Sequence, residues 1–267
     1  MNKSKIEYFK DVGGYLWSPV TGCRHNCGGS DGRGSYCWAE AMARRYGGEG
    51  AGVLHVLYGP AAIDGRANAY PYGFDPTFHQ YRLGDPGRKT KAAVIGVCFT
   101  SDLFGAWVPA EWIRELLGAM AAAPRHTYVV LTKNPRRLAE FGSDGENLFN
   151  AIPNLWLGAT VTNQAQADAA EVALCDAAPY KHDTARKWLS IEPIEGRIVF
   201  LTAAEFVAVG GYNKPEMHRY PAAGYIADAI ADTIDDAEAC GILVYAKNNV
   251  ELYTARAFPR EVPWGTL

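Results

Sequence analysis

What this sequence lacks narrows its possibilities first. No uninterrupted run approaches the roughly 18 apolar residues of a membrane-spanning helix, so no membrane partner is expected. The opening stretch MNKSKIEYFKDVGGYLW has acidic and aromatic residues where a secretory leader needs an apolar core, which points to a cytoplasmic protein. Charge of one sign is not in excess: 26 lysines and arginines face 29 acidic residues, a net charge of -3. No global field therefore draws the chain onto nucleic acid or anionic lipid, and any polyanion contact must be local. Solenoid repeats, coiled-coil heptads and low-complexity tracts are missing too. Cysteine is sparse, six in 267 residues, which argues against a disulfide scaffold in a reducing compartment.

What is present is ordinary for a folded domain. With 48% hydrophobic and 21% charged residues, the chain is too apolar to be mainly disordered. Its length suits one α/β barrel-type domain, which commonly runs to about 250 residues, so a single domain over 1–267 is expected. From residue 92 onward short β-rich apolar runs recur: Ala93 to Phe99, Thr127 to Leu131, Leu155 to Val161, Lys187 to Ile191, Phe206 to Val209 and Ile242 to Ala246. Such runs read as strands buried on both faces, hence a parallel sheet. A first strand is expected near Gly14 to Trp17.

Helical patterns lie between the runs. Pro109 suits a first turn, followed by Trp112, Ile113, Leu116, Leu117 and Met120 at helical spacing. Asn163 can cap a second helix running through Val172, and Ile226, Ile230 and Ile234 mark a third. The link between the strands at 187 and 206 is too short for a full helix to be expected. Strand starts about thirty residues apart match βα units. A barrel or partial barrel of about six or seven parallel strands fits better than an open doubly wound sheet. The stretch 47–91, rich in glycine, proline and aromatics, reads as an irregular excursion on the first connection.

In parallel α/β architectures ligands sit at the C-terminal strand ends. Reading those ends in order gives Cys23, Cys27 and Cys37, then Thr100, Ser101 and Asp102, then Lys133 and Asn134. Thr162, Asn163, Gln164, Glu192, Tyr212, Asn213, Lys247 and Asn248 complete one candidate wall. Each is polar, as strand ends reaching solvent often are, but their convergence with three thiols suggests a site. Cys23, Cys27 and Cys37 lie within fifteen residues, whereas Cys98, Cys175 and Cys240 sit singly in apolar segments and are expected to be small buried residues. Thiolates select zinc or iron–sulfur clusters. Three leave one position short of a closed site: a cubane held by three thiolates keeps one iron free, whereas His25 as fourth ligand would close a zinc site. Unrelated free thiols are the third option.

The cysteine loop, the strand ends and the order of elements together resemble the radical S-adenosylmethionine superfamily and, more closely, an uncharacterised phage-associated family of three-cysteine proteins within or near it. The matching segments are WSPVTGC with CWAEA, YGFDPTFHQYRL, TSDLF, HTYVVLTKNPRRL, IPNLWLGATVTNQ, LSIEPIEG, VAVGG and AKN, spanning about residues 15–248. The resemblance implies a 4Fe-4S cluster on Cys23, Cys27 and Cys37 whose open iron binds S-adenosylmethionine. One electron from an external donor then yields a 5′-deoxyadenosyl radical that abstracts a substrate hydrogen. It places Tyr36 near the adenine, Ser101 and Asp102 at the cofactor's amino group, Lys133 at a carboxylate or substrate anion, and Asn163 and Gln164 at ribose hydroxyls. Two departures are visible: the second cysteine gap is widened to nine residues, and Trp38 stands where the phage family has tyrosine.

Glu192, at the end of a buried strand, is the expected substrate- or cofactor-facing carboxylate, and burial demands a cationic neighbour such as Lys247. A capping role for Asp102 and Asn163, and a solvated one for Lys133, stand beside the binding roles. Basic pieces at Arg44 and Arg45, at Arg88, Lys89 and Lys91, and at Lys133, Arg136 and Arg137 accompany aromatics Tyr70, Tyr72, Phe74, Phe78 and Tyr81. This combination suits phosphate contact with base stacking, or a loop pinned by rings. Phage association, in an infected or prophage-bearing bacterial host, suggests a nucleotide, a DNA or RNA base, or its modification as substrate. The rival expectations are a zinc-stabilised nucleic-acid- or partner-binding protein without redox chemistry, and an S-adenosylmethionine-dependent methyl transferase.

Overall fold

The computed structural model describes residues 1–27, 37–63, 66–143, 148–178, 185–201, 204–212 and 223–264. Its strands in chain order are β1 (Asn2–Lys3), β2 (Tyr15–Trp17), β3 (Val20–Thr21), β4 (His55–Leu57), β5 (Ala62–Ile63), β6 (Arg66–Ala67), β7 (Thr77–His79), β8 (Val94–Val97), β9 (Thr127–Thr132), β10 (Leu155–Val161), β11 (Arg186–Ile191), β12 (Phe206–Val209) and β13 (Leu243–Ala246). The helices are α1 (Glu7–Lys10), α2 (Trp38–Tyr46), α3 (Asp85–Arg88), α4 (Ala110–Ala121), α5 (Pro135–Ser143), α6 (Gln164–Ala177) and α7 (Ala223–Ala239). No helix among the described residues is long and apolar enough to cross a membrane.

An eight-stranded sheet in the order β1-β2-β8-β9-β10-β11-β12-β13 organises the molecule. From β2 to β13 every neighbouring pair is parallel, and only β1 runs antiparallel. Strands adjacent in sequence within this series are adjacent in space, as single-sense winding requires. The helices obey the same rule. Leu116 of α4, Leu138 of α5, Leu174 of α6 and Ile230 of α7 all join one apolar cluster with Val97, Val130, Leu157, Leu189 and Val207. Four helices thus cover one sheet face, each laying an apolar stripe on it.

The opposite face carries a second cluster of aromatics. Trp156, Trp188, Phe206 and Tyr245 project from the strands, and Tyr8, Phe9 and Trp264 close over them. Space for this floor comes from glycine. Gly158 lies in register with Trp188, and a Cβ there would stand 2.1 Å from the indole nitrogen. The indole N–H donates to the Val130 carbonyl at 3.0 Å. Toward the C-terminal strand ends the same face narrows to small residues, Thr160, Ser190 and Ala208 in register.

The expected runs are strands within a residue or two of their anticipated bounds, and Leu155–Val161 and Phe206–Val209 match at both ends. No helix lies between β11 and β12 among the described residues. Two expectations need correction. The 47–91 excursion is not irregular throughout: β7 pairs with β3 and β4, β5 pairs with β6, and α3 follows. Strands of two or three residues are too short for alternation to show in sequence. Cys98 is buried, but Cys175 and Cys240 are exposed: one is on α6, away from its buried residues, and the other is in the turn after α7.

Candidate functional site

The thiol loop begins where the chain leaves β3. Gly22 has a φ of 78° and bridges Ser101, and a Cβ there would lie 2.2 Å from the Asp75 carbonyl oxygen, so glycine alone fits. The Cys23 amide donates to the Phe74 carbonyl at 3.1 Å. The excursion therefore braces the loop from one side, and the end of β8 braces it from the other.

Asp102 is the junction of that second brace. It is 4% exposed and accepts four hydrogen bonds. Oδ1 takes the Thr132 hydroxyl at 2.7 Å and the Phe104 amide at 3.0 Å, and Oδ2 takes the Lys133 amide at 2.8 Å and His25 Nε2 at 2.6 Å. One carboxylate thus ties the ends of β8 and β9 to the thiol loop, with every acceptor direction in use. The His25 ring stands edge-on to Trp107, 4.8 Å between centroids.

The thiols are neighbours. Burial pushes the Cys23 thiol up to about 12, and nearby Asp102, Cys27 and Cys37 add to the rise while a backbone hydrogen bond at His25 opposes it. Burial likewise raises Cys37, whereas the amides of Glu40 and Ala39 and the Lys133 ammonium pull it down. Cys37 caps α2, its sulfur accepting the Glu40 amide at 3.5 Å, so it sits at the positive end of a nine-residue helix. Lys133 Nζ lies 3.1 Å from Cys27 Sγ. Among the described residues no three histidine, cysteine, aspartate or glutamate side chains form a ready-made ion cage.

The surroundings nevertheless fit an anionic, acceptor-rich sulfur group. The donors are soft thiols, a helix N-terminus and an ammonium face them, and three buried polar atoms nearby lack hydrogen-bond partners. These are Tyr70 Oη, Thr100 Oγ1 and Trp107 Nε1. Tyr36 lies outside the described residues, as does Asn213.

Across the strand ends is a second polar group. Lys247 Nζ lies 2.5 Å from Glu192 Oε2, and Asn249 Nδ2 donates to Glu192 Oε1 at 3.2 Å. Asn249 also exchanges hydrogen bonds with Gly211, its Nδ2 to the carbonyl at 2.6 Å and its Oδ1 from the amide at 3.2 Å. Gly210 lets the three side chains meet, since a Cβ there would fall 2.9 Å from Asn249 Oδ1 and 3.2 Å from Glu192 Oε1. Beneath them Tyr8 is held well above the ordinary phenol range by burial first, then by the charges of Glu192 and Glu7 and by Tyr245. By strand alternation Lys133, Glu192 and Lys247 share the face of Val129, Trp188 and Tyr245, opposite the helices.

The DUF5131 family model, described as protein of unknown function, matches residues 3–238. The chain belongs to this family. Comparison with curated proteins and with solved structures gives no match. The DUF5131 match includes the thiol loop, Asp102 and Glu192 but ends before β13, which carries Lys247 and Asn249.

Within the DUF5131 chain the remaining expected contacts have structural duties. The Ser101 hydroxyl donates to the Val20 carbonyl at 2.8 Å. Asn163 caps α6 by accepting the Gln166 amide at 3.1 Å. Gln164 clasps Val199, accepting its amide at 2.7 Å and donating to its carbonyl at 2.8 Å. Of the two readings of the basic-aromatic stretch, the rings favour the pinned loop: Tyr70 and Phe78 are buried and Tyr72 stacks on His55, 3.8 Å between centroids. These rings pin the excursion, and among its described aromatics only Tyr58 is exposed. Sequence reasoning missed Thr132, Asn249 and the His25–Asp102 contact. The paired asparagines after AK are a signal for Asn249, but a contact between residues 77 apart leaves none.

Proposed function

We propose that this chain is a radical S-adenosylmethionine enzyme on a partial (β/α) barrel, with Cys23, Cys27 and Cys37 holding a 4Fe-4S cluster. A nucleotide or nucleic-acid base is its proposed substrate. The observation that carries the reading is the gathering of three thiols at the C-terminal mouth of a parallel sheet, beside an ammonium and buried unpartnered polar atoms. Sequential strand order with four helices on one face supports the barrel. A cluster held by these thiols would supply one-electron reduction of S-adenosylmethionine, with the electron from an external donor, to methionine and a 5′-deoxyadenosyl radical able to abstract a substrate hydrogen.

The chain's own residues supply the rest. Asp102, through His25 and the Lys133 amide, orients the thiol loop on the strand ends. The Lys133 ammonium offsets negative charge beside Cys27. Glu192, two strands beyond β9 and roughly 10 Å from it at the usual strand spacing, meets Lys247 from the end of β13, four strands beyond, so that a carboxylate and an ammonium stand together on the rim. They orient the hydroxyl or amine groups of a substrate and hold a proton between them. The aromatic floor excludes water from below.

The zinc-bound alternative needs a fourth ligand, which His25, with its Nε2 on Asp102, would supply through Nδ1. Anaerobic reconstitution with iron and sulfide separates the readings. The expected result is a brown protein that makes 5′-deoxyadenosine from S-adenosylmethionine under reductant, and loses that activity with each of Cys23→Ala, Cys27→Ala and Cys37→Ala. A colourless protein with stoichiometric zinc, or S-adenosylhomocysteine as sole product, overturns the proposal.

A further inference from the structure

The rim group of Glu192, Lys247 and Asn249 has hydrogen-bonding capacity that its own contacts do not use. An ionised carboxylate offers about two acceptor directions on each oxygen. Among the described residues Glu192 Oε1 uses one on Asn249 and Oε2 uses one on Lys247, which leaves one on each oxygen. The Lys247 ammonium carries three donors and directs one to Glu192. Asn249 turns its amide to Gly211 and Glu192. The Glu192 and Lys247 side chains are 27% and 15% exposed, so a ligand can reach them from the mouth of the sheet. Backbone bonds fix the edge in advance: the Lys247 amide donates to the Val209 carbonyl and the Gly210 amide to the Ile191 carbonyl, each at 2.9 Å. Tyr253, half-buried, flanks the group against Gly211, and its hydroxyl donates to the Tyr212 carbonyl at 3.1 Å.

The presented edge runs acceptor, acceptor, donor. Its complement has two adjacent N–H donors with an acceptor beside them, and it is neutral, because the ammonium repels cations and the carboxylate repels anions. Among the common nucleobases guanine alone carries that edge, as its C2 amino group, N1–H and O6. Adenine and cytosine bring an amino donor beside a ring acceptor, and uracil and thymine bring one N–H between two acceptors. We infer that the substrate base is guanine, met by Glu192 at N1–H and the C2 amino group and by Lys247 at O6. The inference rests on the proposed function for its substrate class, but recognition of the base needs neither iron nor S-adenosylmethionine.

The test uses the full-length protein, as purified and after anaerobic reconstitution. Calorimetry compares the 5′-monophosphates of guanosine, inosine, xanthosine, adenosine, cytidine and uridine, whose common ribose phosphate cancels. The guanosine nucleotide is expected to bind best. The inosine nucleotide lacks the C2 amino group, leaves one carboxylate oxygen unmet and should bind roughly tenfold more weakly. The xanthosine nucleotide sets an oxygen against that carboxylate and should bind more weakly still. Glu192→Gln gives a readout that a merely structural ion pair would not move. The amide oxygen stays with Lys247 and the amide nitrogen replaces Oε1, so the edge becomes donor, acceptor, donor. Preference should then turn from the guanosine to the xanthosine nucleotide. No binding of the guanosine nucleotide, equal binding of all six, or a folded Glu192→Gln protein that keeps the wild-type order overturns the inference alone, whatever the reconstituted protein does with S-adenosylmethionine. The wild-type series needs no variant, so it decides the matter even where Glu192→Gln fails to fold. A protein that takes up no iron yet selects the guanosine nucleotide overturns the proposed function and leaves guanine recognition standing.

Discussion

Replacing Asp102 by asparagine tests whether one carboxylate assembles the mouth of the sheet. The amide keeps an oxygen for the Phe104 amide and the Thr132 hydroxyl, but sets an N–H donor where Oδ2 accepted from the Lys133 amide and His25. His25 can answer by changing tautomer and accepting from the new amide. The Lys133 amide has no such recourse and is left facing another donor. An unsatisfied buried donor costs roughly 1–3 kcal/mol, and with a weakened His25 contact the sum is about 3 kcal/mol. For a chain of this size that lowers the melting temperature by roughly 6–12 °C. Thr132→Val removes one of the four contacts and also the oxygen that accepts the Asn134 amide at 2.9 Å, so it should cost about 2 kcal/mol, still less than Asp102→Asn. Thermal and urea unfolding of the metal-free proteins measure both, and alkylation of Cys23 in Asp102→Asn should quicken as the loop loosens. If Asp102→Asn is no less stable than Thr132→Val and its thiol chemistry is unchanged, the junction is not what holds the loop.

Further outcomes follow from packing and charge. Gly158→Ala drives a methyl into the Trp188 indole, and since both sit mid-sheet the expected loss is about 3 kcal/mol in urea unfolding; a change below about 0.5 kcal/mol would mean the floor is soft. A double-mutant cycle with Glu192→Gln and Lys247→Met should give a coupling of about 1–2 kcal/mol, modest because both side chains keep some contact with water; zero coupling refutes a paired rim. His79 is held near 3, by burial first and then by Arg82. Thr21 spends its proton on the Ala69 carbonyl, so His79 Nε2 carries the hydrogen between them. The unfolded chain takes a proton below about 6.5 and the folded one does not. Stability is therefore complete above that value and falls as pH drops toward 3, by up to about 1.4 kcal/mol per pH unit. His79→Gln should flatten that slope between pH 4.5 and 7, and equal slopes would count against a buried neutral imidazole.

Much of the fold was readable because its strands are buried on both faces. Runs such as Leu155–Val161 and Phe206–Val209 have little choice but to be central strands, and Asn163 declares the start of α6 by its capping chemistry. Pro109 shows the usual boundary slip: it precedes α4 as the capping residue instead of opening its first turn. The excursion resisted reading, since the pairing of β7 with β3 and β4 rests on two- and three-residue strands. Tyr70 shows the same limit: its neighbours in sequence left a stacking platform and a ring-pinned loop both open, and its neighbours in space bury it.

By itself the sequence determined the parallel α/β class and pointed to the strand ends and to three clustered thiols as the candidate site. Each of these is a matter of local composition and spacing, which burial and ligand chemistry constrain residue by residue. Only the tertiary structure decided that Asp102 serves the thiol loop and that Asn249 joins Glu192 and Lys247, a pair the sequence already suggested. Those partners are far apart along the chain and are brought together by the order and register of strands, which hydrogen-bond geometry sets across the whole sheet at once.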